Sequence, residues 1–315
     1  MKTEFLVGNT GFVGSNLALQ HKFTGLFHSS NIADAFGKSP DLLVYAGVRA
    51  EMFLANKEPN KDKEIIKNAI ENIKRIRPRK LILISTVAVY PQTKNVDEDT
   101  PIDYSKLTAY GQNRYLLEQW SEENIEDHLI IRLPAIYGVN LKKNFLYDYI
   151  HRIPVLLTEQ KFLEFSQKEN ILQRYYENQG NGFYKYHFVS GQEEDELKKC
   201  FNRLGFSALN FTDSRSVYQF YSLKNLWKDI SLSCQAKIKK VNLVTPPIKI
   251  SDLYWYLDGK VFNNKLNKTP FDYDIRTKYS EQFGGSGGYI MERRQTMAEI
   301  CEFIHEERQR KGIKE

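Results

Sequence analysis

Three glycines spaced three apart, Gly8, Gly11 and Gly14, stand in the stretch Val7-Gly8-Asn9-Thr10-Gly11-Phe12-Val13-Gly14-Ser15-Asn16. Thr3 to Leu6 before them reads as a short strand, and Leu17, Ala18 and Leu19 after them read as the start of a helix. A strand that turns sharply into a helix leaves the first N–H groups of that helix without intrahelical partners. Those donors, together with the helix dipole, suit a diphosphate. Gly8 lets the turn close, Gly11 lets a pyrophosphate approach the backbone, and Gly14 lets helix pack on strand. A tight turn with no ligand is the plainer alternative, and the position between strand and helix weighs against it.

The elements that must position such a turn follow in order. Gly25 to His28 reads as a weak second strand, ending in Ser29-Ser30-Asn31. Dinucleotide sites often carry an acid about 20 residues after the glycines, to bond the adenosine ribose. No acid stands at 28 to 31, and hydroxyls tolerate a 2′-phosphate that a carboxylate would repel. This favours NADP over NAD, although a polar strand end without a role fits these residues equally well. Asp41 to Gly47 is an apolar run closing in small residues, as expected of a buried parallel strand whose end lies close to a ligand. Isoleucines at 65, 66, 70, 73 and 76 have helical spacing. Leu81 to Thr86 is a further buried strand, Tyr110 opens a helix, and Leu129 to Gly138 gives a fifth strand and a loop. Alternation of this kind predicts an α/β fold, a Rossmann-like doubly wound parallel sheet with right-handed crossovers. Ligands on such sheets lie at the carboxyl ends of the strands. Gly8, Gly47, Thr86 and Pro134 all fall there.

Composition excludes several classes. The chain has 315 residues, 41% hydrophobic and 27% charged, with a net charge of +6. That balance is ordinary for a globular protein. The charge is mild, and the basic cluster Lys74, Arg75, Arg77, Arg79 and Lys80 reads as a solvated helix end, so no nucleic-acid partner is expected. No apolar run has the length of a membrane span, and no secretion-signal pattern is visible, so a cytoplasmic location is expected. Three scattered cysteines imply no disulfide framework. The six histidines form no ligand pattern, so no metal is expected.

The glycines at 8, 11 and 14, the strand end Ser85-Thr86-Val-Ala-Val-Tyr90, Tyr110 at a helix start, and Arg132-Leu-Pro-Ala-Ile-Tyr-Gly138 together resemble the extended short-chain dehydrogenase/reductases, also called the NAD-dependent epimerase/dehydratase family. The resemblance covers about the first 145 residues, and the short second strand without an acid is similar to the dTDP-4-dehydrorhamnose reductase branch. It implies that Gly8, Asn9, Thr10, Gly11, Phe12, Val13 and Gly14 cradle the pyrophosphate. Ser29 and Ser30 would meet the adenosine ribose, Ala46 and Gly47 would line the adenosine path, and Ser85 and Pro134 would lie beside the nicotinamide. It also implies Thr86 as oxyanion partner and Tyr110 as acid/base. The family motif is Tyr-x-x-x-Lys, and this chain has Tyr110-x-x-x-Arg114. Arginine keeps the charge but stays protonated and needs different room. Three outcomes follow: an active site with arginine as electrostatic substitute, a slow one, or a redox-silent binding protein.

Residues 141 to 211 look less familiar. Helices are predicted around Phe145 to Ile150, over Lys161 to Tyr176 and over Glu193 to Leu204, with a turn at Gln179 to Gly182 and a short strand over Lys185 to Val189. A smaller, mostly helical substrate-side subdomain of 141–211 plus 251–315 is expected, beside a dinucleotide-binding domain of 1–140 plus about 212–250. Asn144, Arg215, Gln219 and Arg276 are the candidates for substrate contact. Ser251-Asp252 is expected to cap a helix. The glycine-dense stretch from Asp274 to Tyr289 reads as a mobile linker or as a lid with Arg276 reaching a diphosphate. The reading is thus an NAD(P)-dependent oxidoreductase or epimerase, with a nucleotide-linked sugar as substrate and, as in many relatives, a homodimer. The alternative is an NAD(P)-binding regulator or scaffold without turnover.

Overall fold

The computed structural model describes residues 2–187, 189 and 191–312. The chain divides into two units, each built on its own core. The first comprises Met1–Asn140, Val217–Ile248 and Asp272–Glu299.

Its centre is a six-stranded, wholly parallel sheet. The strands are β1 (Glu4–Val7), β2 (Gly25–Phe27), β3 (Leu42–Tyr45), β4 (Leu81–Thr86), β5 (His128–Leu133) and β6 (Lys240–Asn242). Their order across the sheet is β6-β5-β4-β3-β1-β2. Every residue of β3 and β5 is buried, which is why β3 reads as an unbroken apolar run and β5 as an apolar run interrupted only by the buried Arg132 after His128 opens it. The chain moves outward from β1 to β2, then returns past β1 to β3. The strand order therefore reverses between β1 and β3, where such sheets carry their ligand crevice.

Helices cover both faces. Helix α1 (Phe12–Gln20) and α4 (Leu226–Gln235) contribute Leu17, Leu226 and Ile230 to one core, with Leu6, Val44, Ile82 and Ile131 from the sheet. Helix α2 (Pro59–Ile76) and α3 (Ala109–Asn124) cover the other face, where Ile66, Ile73, Ile76 and Leu117 pack on Leu43, Leu81 and Leu83. Each of these buried aliphatic side chains contributes ~1.5–3 kcal/mol relative to exposure. The buried positions of α2 are 62, 66, 69, 73 and 76, one helical stripe, and the first of them is an aspartate.

The second unit comprises Leu141–Ser216, Lys249–Phe271 and Ile300–Glu315. It holds the helices Phe145–His151, Glu159–Ser166 and Gln192–Arg203 and a three-stranded antiparallel sheet of Leu156–Thr158, Tyr176–Asn178 and Phe183–Tyr186. The helix expected over 161–176 is interrupted. It stops at Ser166, and a short turn of helix, Leu172–Tyr175, leads into the strand that opens at Tyr176. The interruption lets Phe162, Phe165, Tyr175 and Tyr176 all reach one core with Leu197 and Phe201. The strand expected over 185–189 ends at Tyr186, and Phe188 lies outside the described residues.

Two further expectations change. Asp272–Glu299 groups with the first unit, because Asp274–Ile275 pairs in parallel with Lys94–Val96 and Ile290 N–H donates to the Val244 carbonyl. Within its glycine-dense part Gly285 is closely approached, since a Cβ there would lie 2.1 Å from the Tyr289 carbonyl oxygen, whereas Gly284 and Gly287 face open space. The helix near 251 begins at Ile250 with Lys249 as its N-cap, so Ser251 and Asp252 lie inside its first turn. Among the described residues no helix is long and apolar enough to cross a membrane, and no cluster of metal-ligating side chains occurs.

Candidate active site

The glycine turn joins β1 to α1 at the point where strand order reverses. Gly8 has φ of +91°, a conformation that favours glycine. A Cβ there would lie 2.5 Å from the Ala46 carbonyl oxygen, and one on Gly14 would lie 2.1 Å from the Gly8 carbonyl oxygen. Both glycines are therefore required by the approach of neighbouring backbone. Gly11 differs, since its added Cβ would meet only the Gly8 carbonyl oxygen, at 3.2 Å, and the residue is exposed.

Gly11 is the N-cap of α1, with no side-chain cap and no acid in the first turn. The leading N–H groups of the helix and its positive dipole end are thus unopposed. Thr10 is exposed, Phe12 and Val13 are half-buried, and the Asn9 side-chain oxygen is buried without a hydrogen-bond partner. An orphaned acceptor beside an uncapped helix start fits a bound group with hydroxyls and negative charge. Ala46 donates its N–H to the Val7 carbonyl at 2.9 Å, and Gly47 is exposed just beyond. Ser29 and Ser30 are exposed after β2, where the Ser30 hydroxyl lies 3.0 Å from His28 Nδ1.

The second cluster gathers on the first turn of α3. Thr108 caps that helix, accepting from Gly111 N–H, and Asn56 Oδ1 accepts the Tyr110 N–H at 2.9 Å. Gly111 lets this helix start press on the turn after β4, where an added Cβ would lie 2.5 Å from the Ala88 carbonyl oxygen. That approach sets Tyr110 beside Thr86, whose hydroxyl also accepts from Ala88 N–H at 3.1 Å. Tyr110 is only 5% exposed. Burial raises its phenol above the ordinary tyrosine value, opposed by Arg114 and Thr86 and assisted by Asp62.

Arg114 is equally buried, with its guanidinium 4.4 Å from the centre of the Tyr110 ring. Its Nη1 donates to Asp62 Oδ2 at 2.8 Å, and its Nη2 donates to Asp62 Oδ1 at 3.0 Å and to the Arg49 carbonyl at 2.6 Å. Asp62 also accepts from Asn113 Nδ2 at 2.8 Å. Sequence reasoning did not identify Asp62 or Gly111. For Asp62 a signal was present: an acid four residues before Ile66, on the apolar stripe of α2.

The other expected site residues are placed as follows. The Ser85 hydroxyl turns inward and donates to Glu118 Oε1 at 2.5 Å. Glu118 is fully buried and receives Arg132 Nε and Nη2. Arg132 Nη1 donates to the Tyr90 hydroxyl at 2.7 Å, and that hydroxyl is joined to Asn242 and to the Asp97 carbonyl. Pro134 is half-buried at the end of β5. Gln219, expected at the substrate, is 2% exposed and gives its amide to the Thr245 and Ile275 carbonyls while accepting Ile275 N–H; it is a backbone tie. Arg276 is half-exposed, pairs with Asp274 at 3.3 Å and faces the Tyr289 ring. Asn144 and Arg215 belong to the second unit. Asn144 caps Phe145–His151, accepting from Leu146 and Tyr147 N–H, and Arg215 forms a bidentate pair with buried Asp213.

Comparison with known proteins agrees with this architecture. Residues 5–155 match the family described as the RmlD substrate binding domain. No curated protein matches the chain by sequence. The dTDP-4-dehydrorhamnose reductase of Bacillus anthracis in complex with NADP superposes with a TM-score of 0.61 at 13% identity, over 97% of this chain and 99% of its own. The corresponding reductase of Clostridium acetobutylicum gives 0.60 at 13% identity, over 98% and 100%. The UDP-glucose 4-epimerase of Thermotoga maritima with UDP-glucose gives 0.61 at 11% identity, over 98% and 99%. The chain shares the fold of these enzymes, and the family match falls on the residues that carry the sequence resemblance.

Proposed function

We propose that this chain is an extended short-chain dehydrogenase/reductase and works as an NADP-dependent reductase of a nucleotide-linked keto sugar, a reading supported by the fold and by the match over residues 5–155. The observation that carries the reading is the joint placement of an uncapped glycine turn at the sheet's reversal and a buried Tyr110 beside Thr86. Residues Gly8 to Gly14 would hold a diphosphate through backbone N–H groups. Ser29 and Ser30, without a carboxylate between them and the turn at Asn31, suit a 2′-phosphate. A reduced nicotinamide supplies a hydride. Tyr110 would donate the proton to the sugar oxygen, and the Thr86 hydroxyl would orient that oxygen and oppose its developing charge. The relatives' printed substrates, dTDP-4-dehydrorhamnose and UDP-glucose, support a sugar linked to a nucleoside diphosphate.

A second reading, dinucleotide binding without turnover, draws on one observation: the Arg114 guanidinium is engaged by Asp62 and the Arg49 carbonyl. The two separate in a single assay. With NADPH and a panel of nucleotide-linked 4-keto sugars, the wild type should consume NADPH. Tyr110→Phe should lose ~10²–10⁴-fold in kcat while keeping its affinity for NADPH. Equal turnover by Tyr110→Phe would remove the tyrosine from the chemistry, and no turnover by the wild type with any such sugar would favour the second reading.

A further inference from the structure

Resting on the reductase reading, we infer that Asp62 is a positioning residue for Tyr110: by clamping Arg114 against the Tyr110 ring it keeps the phenol proton in place, so that the site works as a proton donor in carbonyl reduction. Three observations on separate elements carry this. Asp62 and Arg114 form a bidentate pair with both partners nine-tenths or more buried. The same guanidinium lies over the Tyr110 ring at 4.4 Å. Its remaining reach is fixed by the Arg49 carbonyl at 2.6 Å.

The charged groups facing the phenol are Arg114 from its own helix and Asp62 from α2, with the uncharged Thr86 hydroxyl from the end of β4. A lone buried cation beside a phenol favours the phenolate. Burial favours the neutral phenol most strongly, and Asp62 adds to this in smaller degree by opposing the Arg114 charge at the same place. A free cation prepares a tyrosinate base; a neutralised one leaves a tyrosine acid.

The step balances without another reactant. A reduced nicotinamide held at the glycine turn would supply the hydride for the new C–H bond at the carbonyl carbon, the C=O π electrons would move onto oxygen, and Tyr110 Oη would release its proton to that oxygen. The products are the alcohol and the oxidised nicotinamide, and the phenolate regains a proton from solvent. Reduction needs the phenol and alcohol oxidation needs the phenolate. Reduction should therefore be level through neutral pH and fall only as pH rises through the Tyr110 midpoint. Oxidation should rise over that same interval.

The test reads the phenol itself. Protein carrying 13C at tyrosine Cζ is titrated by NMR, with Tyr110 assigned by its loss in Tyr110→Phe. Asp62→Asn should lower the Tyr110 midpoint by ~1–2 pH units, because Arg114 then acts unopposed. Arg114→Met should raise it, and Asp62→Glu should return it towards the wild-type value. Circular dichroism confirms that each variant is folded, and Arg114→Met serves if Asp62→Asn is not. Titrations unmoved in the folded variants would overturn the inference. Because no cofactor is present, a protein that shows these shifts yet binds no NADPH would refute the reductase reading alone.

Discussion

Two arginine–carboxylate pairs lie on the same helix, four residues apart, and differ in what surrounds them. Arg114 and Glu118 could meet as neighbours on one face of α3, but each takes a partner from another element instead. Glu118 pairs with Arg132 of β5, at 0% and 1% exposure. Its network runs on through Ser85, Tyr90 and Asn242 and closes on the carbonyls of Asp97 and Arg276. Every branch ends on protein, and the network ties three strands and a helix together. Arg114 pairs with Asp62, donates to the Arg49 carbonyl and lies against the ring of Tyr110. One chemistry thus has two uses: a saturated pair fixes the sheet, and a pair with one reactive neighbour sets where a proton resides.

Removing one charge from the saturated pair should have the largest effect. Glu118→Gln leaves Arg132 buried and uncompensated, and ~3–5 kcal/mol of stability should be lost in urea denaturation. Tyr110 should titrate as before in the folded variant. A loss under about 1 kcal/mol would show that the two pairs are not distinguished by saturation. The Asp62 variants described above come next, distinguished from Glu118→Gln by a marked shift in the Tyr110 titration. The smallest effect belongs to Ser85→Ala. That change removes one hydrogen bond to Glu118 and should cost ~1.5–3 kcal/mol at most, since Arg132 still satisfies the carboxylate. NADPH affinity should be unaltered, and a strong loss of affinity would return Ser85 to the cofactor.

Much of this architecture was legible in the sequence because parallel strands are buried on both faces. Leu42–Tyr45 and Leu81–Ile84 therefore stand out as apolar runs, and the glycine turn stands out by spacing and position. The pairings behind Tyr110 were not legible, since Asp62 and Arg114 are 52 residues apart and their contact exists only once α2 and α3 pack on the same face. The aspartate on the stripe of α2 was the available clue. Gly111 acquires its reason only when the Ala88 carbonyl is in place. The stretch from Asp274 to Tyr289 was read from its glycine content alone, which says nothing of its neighbours. Those neighbours include the backbone close to Gly285 and the Glu98 carboxylate that Thr277 and Lys278 bond. The bonds of Gln219 were not legible either, because its amide answers the backbone of two neighbouring segments, which no local pattern reveals.

The most direct measurement is a titration of the purified protein with NADPH and with NADH, following nicotinamide fluorescence, alongside Gly11→Ala. Saturable binding with preference for NADPH is expected. Gly11→Ala should remain folded, since its Cβ meets only one atom at 3.2 Å, yet bind NADPH more weakly because the methyl group stands where a pyrophosphate must approach. Folded wild-type protein that leaves the fluorescence of both nucleotides unchanged would contradict the proposed dinucleotide site and the reductase built upon it.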